Sequence, residues 1–589
     1  MNSRALNRWI LTFLFVFLAF SCAETDKKKI IILETTDLHG VILPFDFIEN
    51  ENLNSSLANV STYLTHLRQK KDPVILLDNG DNLQGQPAVY YYNFIDTASP
   101  HFNAQAMNFL KYDAGTVGNH DIEAGHPVYD RLVKEYDFPL LAANAVNITT
   151  GEPYFRPYHI IEKKGIKVVV FGLVTPSIPN WLPPELYSGM EFRDMTETAK
   201  KWMPVLKKEK PDLIVGLFHS GWENPEKNSQ GDNVMYENGS ASVAFNVPGF
   251  DIIFNGHDHN IANEKIVNRS GDTVLILNGG SRSQKLARAD ITFLSKKTGG
   301  KKQKNMKGEI INVADYKVDP VFMSEFSSQQ KIIKDYVDRI IATSSETISS
   351  RDSYFGSSPF VDMIHSIQLE ITNADISFAA PLSFDVNIAS GPVTVADMFK
   401  LYRYENFLYS INMTGAEIKD YLEFSYNGWF NTMEGPRDML LKFRLGSDGK
   451  PVLTKGKAWL RNQSYNFDSA AGIEYIVDVS KPEGSRILIK SFSDGRPFDT
   501  KKTYNVAVNS YRANGGGGHL TAGAGISKDD LGNRITSSTD RDLRFFIMKS
   551  LETKKIVKPE ALNNWKIIPD QWVKVAVPRD YKLLFGTTK

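Results

Sequence analysis

The sequence predicts a protein of the α/β (α+β) class with two large domains. Its 589 residues are too many for one hydrophobic core, which makes two domains the natural expectation. Between residues 29 and 325, short apolar runs rich in β-formers alternate with longer mixed stretches. Around 321–348 the pattern changes to helical spacing, and a second mixed region follows over 353–575.

The apolar runs of the first region read as strands that are buried on both faces. Continuous runs of this kind indicate sheets covered by helices. Five of the runs end in a polar turn that contains glycine, and they lie at 30–40, 74–85, 115–121, 213–221 and 251–259. Two further runs lie at 166–174 and 273–280.

A connecting helix is predicted over 326–352. Its apolar residues recur at helical spacing and are Ile332, Ile333, Tyr336, Val337, Ile340 and Ile341. The second domain, 353–575, contains a predicted helix at 358–374 and a glycine-rich segment at 511–518.

Charge and the N-terminus limit the choice of partners. Lysine plus arginine equals aspartate plus glutamate, 68 each, so binding to long nucleic acid is disfavoured, whereas binding of a small nucleotide is possible.

Residues 1–22 resemble a secretory signal that ends at Cys22, the only cysteine, as in bacterial lipoproteins. Ala19 departs from the usual leucine, so a plain signal with an incidental cysteine is the alternative. We expect a monomeric enzyme in the periplasm or anchored to the outer membrane, touching lipid only through this N-terminal anchor.

The turns after the strands carry a ligand set for two divalent metal ions. In parallel-sheet folds ligands collect beyond the carboxyl ends of strands. Oxygen and imidazole ligands suit zinc, manganese, iron or cobalt, and Asp81 is the best-placed bridging carboxylate. The predicted ligands are Asp37, His39, Asp81, Asn119, His219, His257 and His259, and His120 is left over for acid catalysis.

The order of these motifs (D-X-H, G-D-X-X, G-N-H-D/E, H and G-H-X-H) resembles the calcineurin-like metallophosphoesterase family over residues 29–290. The resemblance implies a four-layer β-sandwich flanked by helices. It also assigns Asp37, His39 and His259 to one metal and Asn119, His219 and His257 to the other, with Asp81 shared. His120 would be held near the substrate phosphorus. Glu123 or Asp121 could orient it, and the sequence does not separate them.

The second domain resembles the nucleotide-binding domain of secreted 5′-nucleotidases, and most closely that of bacterial 2′,3′-cyclic-nucleotide 2′-phosphodiesterase/3′-nucleotidases. The segments on which this resemblance rests lie at 379–384, 393–423, 465–480 and 509–518. The resemblance implies that Tyr465 and Tyr511 clamp the base, since base stacking on aromatic rings tolerates any base. Asn514 and Gly516 would lie against the nucleotide, because glycines at 515–518 permit close backbone approach.

One departure bears on the substrate. 5′-Nucleotidases typically have an arginine that binds the substrate phosphate in the segment that corresponds to residues 379–383. This segment reads Ala-Ala-Pro-Leu-Ser here and contains no arginine. Arg403 or Arg512 could replace the contact. We therefore expect an enzyme that opens 2′,3′-cyclic nucleotides and then dephosphorylates 3′-nucleotides. The alternatives are a 5′-nucleotidase or UDP-sugar hydrolase, a thiosulfate-ester hydrolase, and a binding protein on an inactive scaffold.

Overall fold

A computed structural model describes residues 25–223, 237–296 and 303–587. The predicted signal and Cys22 lie outside the described residues. Within the described part of the chain, no helix is long and apolar enough to cross a membrane.

The first domain contains two six-stranded sheets, each with a parallel centre. In the first, the strand Thr25–Thr35 runs parallel to Val74–Asp78 and antiparallel to Lys285–Lys296. Its strands, in spatial order, are Gln303–Asn312, Lys285–Lys296, Thr25–Thr35, Val74–Asp78, Ala114–Thr116 and Leu140–Leu141. The second sheet has the order Ile261–Val267, Thr273–Gly279, Ile252–Asn255, Leu213–His219, Ile166–Val174 and Tyr158–Lys163.

The two sheets pack face to face, and helices cover their outer faces. Ile32 and Leu77 of the first sheet share an apolar core with Val170 and Val215 of the second. The helices Leu57–Gln69, Pro87–Phe94, Phe102–Leu110 and His126–Glu135 cover the first sheet. Met195–Lys208 and Ser240–Asn246 cover the second. The predicted four-layer arrangement with fully buried strands is confirmed.

The connector is only partly helical. Helices occupy Pro320–Glu325 and Ser327–Val337, but Ile340–Ser344 is a strand. The predicted helix is therefore wrong over this stretch. The β-branched Ile340 and Ile341 belong to a strand that pairs with Gly391–Thr394 and Ile556–Val557, partners far away in sequence.

The second domain is built on a five-stranded mixed sheet. Its strands, in spatial order, are Ser469–Ala471, Ile376–Ala379, Thr503–Asn509, Phe407–Thr414 and Ile535–Asp542. The helices Pro359–Thr372, Val395–Leu401 and Leu543–Lys554 pack on one face, and Gly415–Trp429 packs on the other. A three-stranded sheet (Ile473–Asp478, Ile487–Phe492 and Trp565–Ile568) and the helix Asp570–Phe585 complete it.

The two domains meet through Tyr90, a first-domain residue whose side chain is buried among second-domain residues. Its hydroxyl donates a hydrogen bond to Asp542 at 2.9 Å, and its ring lies 5.3 Å from that of Phe399. The guanidinium of Arg544 lies 4.9 Å from the same ring. This contact brings the strand ends of the first domain opposite the second domain, and the candidate site lies between them.

Candidate active site

All seven predicted metal ligands lie at the carboxyl ends of the parallel strands, on one edge of the sandwich. Asp37 and Asp81 follow strands of the first sheet, and His219 is the last residue of a strand in the second. Glycines allow the approach, because a Cβ at Gly118 would lie 2.1 Å from Asp81 Oδ1 and one at Gly256 would lie 2.3 Å from Thr36 Oγ1.

Five of the seven predicted ligands have left-handed backbone, which side-chain-bearing residues rarely adopt. Such conformations cost on the order of 1–3 kcal/mol each and cluster at functional sites. The residues and their φ angles are Asp37 (50°), His39 (47°), Asp81 (57°), His257 (73°) and His259 (56°). The surrounding fold therefore holds these turns in strained backbone conformations, and these conformations bring the ligand side chains together.

The side chains form two clusters. In one, the ligand atoms of Asp37, His39 and His259 all lie within 4.8 Å of one another. Those of Asp81, His219 and His257 do the same in the other.

Several electron-pair donors in these clusters point at one another. His39 Nε2 and His259 Nε2 are 3.0 Å apart, and His219 Nε2 lies 3.3 Å from Asn119 Oδ1. Convergence of nitrogen and oxygen donors is what a divalent cation requires, so the residues fit two such ions, and the cofactor class predicted from sequence suits them.

Hydrogen bonds to backbone carbonyls fix two of the imidazoles. His39 Nδ1 donates to Gln84 O at 3.1 Å, and His219 Nδ1 donates to Asn79 O at 2.5 Å. Each Nε2 therefore faces its cluster. Burial lowers the pKa of His39 to about 4, which leaves the Nε2 lone pair of this ring free. Burial alone would also lower the pKa of His219, but Asp81 outweighs it and raises that pKa to about 10, so His219 must release its Nε2 proton to bind a cation.

Asp81 stays ionised although it is buried. Burial by itself would raise the pKa of this carboxyl, but the attraction of His219 and His120 outweighs it and holds the pKa well below the ordinary value. Asp81 belongs to the cluster of His219 and His257, and it also interacts electrostatically with His39 of the other cluster, which is consistent with the predicted bridging role.

The structure brings Glu123, and not Asp121, to His120. Glu123 Oε2 lies 2.5 Å from His120 Nδ1. Burial opposes protonation of His120, but Asp81 and then Glu123 outweigh it and raise the His120 pKa to about 10. Asp121 instead accepts hydrogen bonds from the backbone amides of Gly118, Asp81, Asn82 and Leu83. It orders the loops and does not contact the histidine.

Tyr465 and Tyr511 line a cavity of about 230 Å³ together with Asn119, His120 and His257. The residues of the other cluster, Asp37, His39 and His259, are not among the described residues that line it. Sequence reasoning missed several other residues of this lining, which are Trp181, Leu182, Glu237, Leu382, Tyr404, Asn406 and Asn509. These polar, aromatic and aliphatic residue types are common in any sequence, and only the tertiary fold brings these particular residues together.

Asn514 and Gly516, predicted as substrate contacts, are not among the described residues that line this cavity. Asn514 Nδ2 donates to Ser510 O at 2.7 Å, which ties down its own turn. A Cβ on Gly516 would lie 2.5 Å from the ring of Tyr511. The glycine therefore makes room for the tyrosine and is positioned behind it.

The two arginines considered as phosphate contacts have different surroundings. Arg512 is buried and forms two hydrogen bonds of 2.8 Å to Asp468, which occupies its guanidinium. Arg403 lines a second cavity of about 580 Å³ together with His39, His120 and His259.

Sequence reasoning also missed Arg282, which lines this second cavity and lies 3.4 Å from Asp46. It follows the strand Thr273–Gly279, so the strand-end rule that found the metal ligands could have found it.

Two family descriptions match the chain. Residues 30–260 match calcineurin-like phosphoesterase, and residues 340–523 match the 5′-nucleotidase C-terminal domain. Residues 30–260 therefore form a calcineurin-like phosphoesterase domain, and residues 340–523 form a 5′-nucleotidase C-terminal domain. The chain is a phosphoric ester hydrolase.

Individual relatives cover most of this chain. The trifunctional nucleotide phosphoesterase protein YfkN of Bacillus subtilis is 28% identical over 91% of the chain, which spans only 39% of that protein's length. A 2′,3′-cyclic-nucleotide 2′-phosphodiesterase/3′-nucleotidase of Yersinia enterocolitica is 27% identical, over 94% of this chain and 90% of its own. A crystal structure from Staphylococcus aureus, described as a 5′-nucleotidase, superposes with a TM-score of 0.74 at 22% identity, over 92% of this chain and all of that one. The two sequence relatives indicate a nucleotide phosphohydrolase, and the crystal structure shows the same fold.

Proposed function

We propose that this metallophosphoesterase opens 2′,3′-cyclic nucleotides to 3′-nucleotides and then releases the 3′ phosphate, leaving a nucleoside. The observation that carries the proposal is a cleft that Tyr465 and Tyr511 line together with Asn119 and His257 of one metal site. A second cavity, which shares His120 and Tyr404 with this cleft, contains His39 and His259 of the other site. Leu382 lines this cleft within the segment where 5′-nucleotidases carry their arginine. An apolar side chain there gives a 5′-phosphate no bidentate partner.

Asp37, His39 and His259 would hold one divalent ion, and Asn119, His219 and His257 the other, with Asp81 between them. Bound there, the two ions would activate water as a nucleophile and offset charge on the phosphoryl oxygens. His120 stands beside both clusters and would donate its proton to the departing ribose oxygen. Glu123 holds the ring through Nδ1, which leaves Nε2 to face the ester.

Tyr465 and Tyr511 would stack on the two faces of the base. The segments that carry them are tied together by Arg512, which donates to Tyr465 O at 2.7 Å and to Asp468. A fixed separation between the two rings admits a planar base without sequence preference.

Arg403 and Arg282 would contact the phosphate from the second cavity. Both arginines line that cavity. Burial lowers the pKa of Arg282, and the charge of Arg403 acts in the same direction. Arg282→Gln and Arg403→Gln should each weaken turnover about 10- to 100-fold, the cost of a hydrogen bond to a charged group. Inorganic phosphate should inhibit both variants less strongly than it inhibits the parent.

The test of the proposed function is phosphate release from 2′,3′-cyclic AMP, 3′-AMP and 5′-AMP side by side, with manganese or zinc and with EDTA. We expect metal-dependent turnover of the first two and little of the third. Arg282 and Arg403 could together bind a 5′-phosphate in place of the missing arginine, and this favours the alternative function, that of a 5′-nucleotidase or UDP-sugar hydrolase. Preference for 5′-AMP or UDP-glucose would establish that alternative.

We further propose that the domains reorient between turnovers about the 326–352 connector. Lys528 donates a hydrogen bond to Asn180 across the cleft in the present arrangement. Asn180→Cys with Lys528→Cys, in a Cys22→Ser background, should slow turnover when cross-linked and recover on reduction. Unchanged turnover of the cross-linked enzyme would refute the idea.

We propose that the leader predicted over residues 1–22 directs the enzyme out of the cytoplasm and that acylated Cys22 anchors it. Cys22→Ser should move the enzyme from the membrane fraction to the soluble fraction of cells. Metabolic labelling with a fatty acid should lose its signal in the same variant.

A further inference from the structure

Residues 442–461 of the second domain form an exposed antiparallel region beside the nucleotide-binding fold. Phe443 pairs with Leu460, Leu445 pairs with Pro451, and Leu453–Thr454 pairs with Lys457–Ala458. Of the large apolar side chains in this region, four are exposed. They are Leu445 (51%), Val452 (36%), Leu453 (54%) and Trp459 (53%). Exposed apolar side chains gathered in one short region indicate an interaction surface.

The same region carries an excess of positive charge. It contains six cations and a single acid, Asp448, although the chain as a whole has equal numbers of cationic and acidic residues, 68 each. Lys442 pairs with Glu483 and Lys457 with Asp385. Within the described residues, no ion pair is found for the other four cations, which are Arg444, Lys450, Lys455 and Arg461.

We propose that this surface, residues 442–461, docks on an anionic lipid bilayer. Lysine and arginine near such a bilayer are attracted by its negative surface potential, and exposed Trp and Leu enter the boundary between headgroups and acyl chains. Long cationic side chains can bury their methylene stems there while the charged ends stay in water.

The mixture of residues distinguishes a bilayer from a protein partner. Protein–protein interfaces are depleted of lysine at their apolar centres. Here Lys450, Lys455 and Lys457 alternate with the exposed apolar side chains. The sequence assigns membrane contact to the N-terminus alone, so this surface adds a second contact and would fix how the enzyme lies on the membrane.

The test places an environment-sensitive fluorophore at Leu453→Cys in the full chain. Because Cys22 is the only cysteine, Cys22→Ser gives a cysteine-free background. The probe reports its own surroundings, so the measurement is valid whether or not the N-terminus enters the bilayer. We expect a blue shift with vesicles of equal phosphatidylcholine and phosphatidylglycerol, and none with phosphatidylcholine alone.

Two controls make the result decisive. The same probe at Ile148→Cys, which is 62% exposed on the first domain, should not respond. Replacing Lys455 by glutamine should weaken the Leu453 response about fivefold in lipid titrations, and each further unpaired cation removed should add a similar factor. These replacements lie outside the catalytic cleft, so nucleotide turnover in solution should not change.

A Leu453 probe that stays unchanged on anionic vesicles would overturn the proposal. An equal response at Ile148 would also overturn it, because the binding would then be nonspecific. A response to polyglutamate but not to vesicles would assign the surface to an acidic protein instead of a membrane.

Discussion

The two sides of the catalytic cleft are built by different means. On the metal side, each predicted ligand lies within a few residues of a strand end, and five of the seven have left-handed backbone. On the nucleoside side, neither Tyr465 nor Tyr511 has such backbone. Their positions depend on contacts between distant segments, such as Arg512 with Asp468.

This difference separates two ways of fixing a functional side chain. The metal side stores local strain, which the buried sheets beneath it can sustain. The nucleoside side relies on one buried ion pair and on close packing around glycine. Substitutions on the metal side should therefore lower the turnover rate with little loss of folding stability. Substitutions on the nucleoside side should instead lower the folding stability or the affinity for substrate.

The largest effect should follow removal of the shared carboxylate. Asp81→Ala should lower turnover of 3′-AMP by at least about 10³-fold, the upper end of what one charge-stabilising group contributes. Metal content, measured by mass spectrometry after dialysis, should fall below two ions per chain. Asp46→Asn, which changes a residue that lines the neighbouring cavity but belongs to neither cluster, should keep its full metal content. Full metal content in Asp81→Ala would contradict the bridging role.

The next largest loss of activity should follow replacement of His120, the proposed general acid. His120→Asn should lower kcat by about 10²- to 10³-fold, within the range for general acid–base catalysis, and leave metal content unchanged. Glu123→Gln should lower kcat less, about 10-fold or more, because the histidine loses an orienting partner but remains. If Asp121→Asn lowered kcat without lowering stability, the assignment of Glu123 as the partner would be wrong.

The same division explains what could be predicted from the sequence. The metal ligands follow from local rules, since side-chain type and strand-end position both lie within one short segment. The strand at Ile340–Ser344 could not be separated from a helix, because its partners lie about 50 and 210 residues away. Of the second-domain residues that line the cavity, only the two tyrosines were predicted as substrate contacts. Asn514 bonds within its own turn, Gly516 makes room for the Tyr511 ring, and the pairing that withdraws Arg512 from phosphate depends on Asp468.

Breaking that pair should affect stability more than chemistry. Asp468→Asn leaves Arg512 buried without its counter-charge, so the free energy of unfolding should fall by about 3–5 kcal/mol, measured by denaturant titration. Burial alone would raise the Asp468 pKa, but Arg512 outweighs it and lowers the pKa to about 2. The contribution is therefore complete above the ordinary aspartate pKa near 4 and is lost as pH falls through 2. A difference in stability between parent and variant that persisted below pH 2 would contradict this origin.

The smallest effect should come from the stacking rings, and it should appear in KM. Tyr465→Ala and Tyr511→Ala should each raise KM for 3′-AMP about 5- to 150-fold, since stacking one base on a ring is worth about 1–3 kcal/mol. Tyr465→Phe and Tyr511→Phe keep the ring and should behave like the parent. Glycerol 2-phosphate, which has no ring to stack, should be hydrolysed equally by all five proteins. A loss of kcat on glycerol 2-phosphate would mean that these tyrosines position the metal side, and the two sides of the cleft would then not be independent.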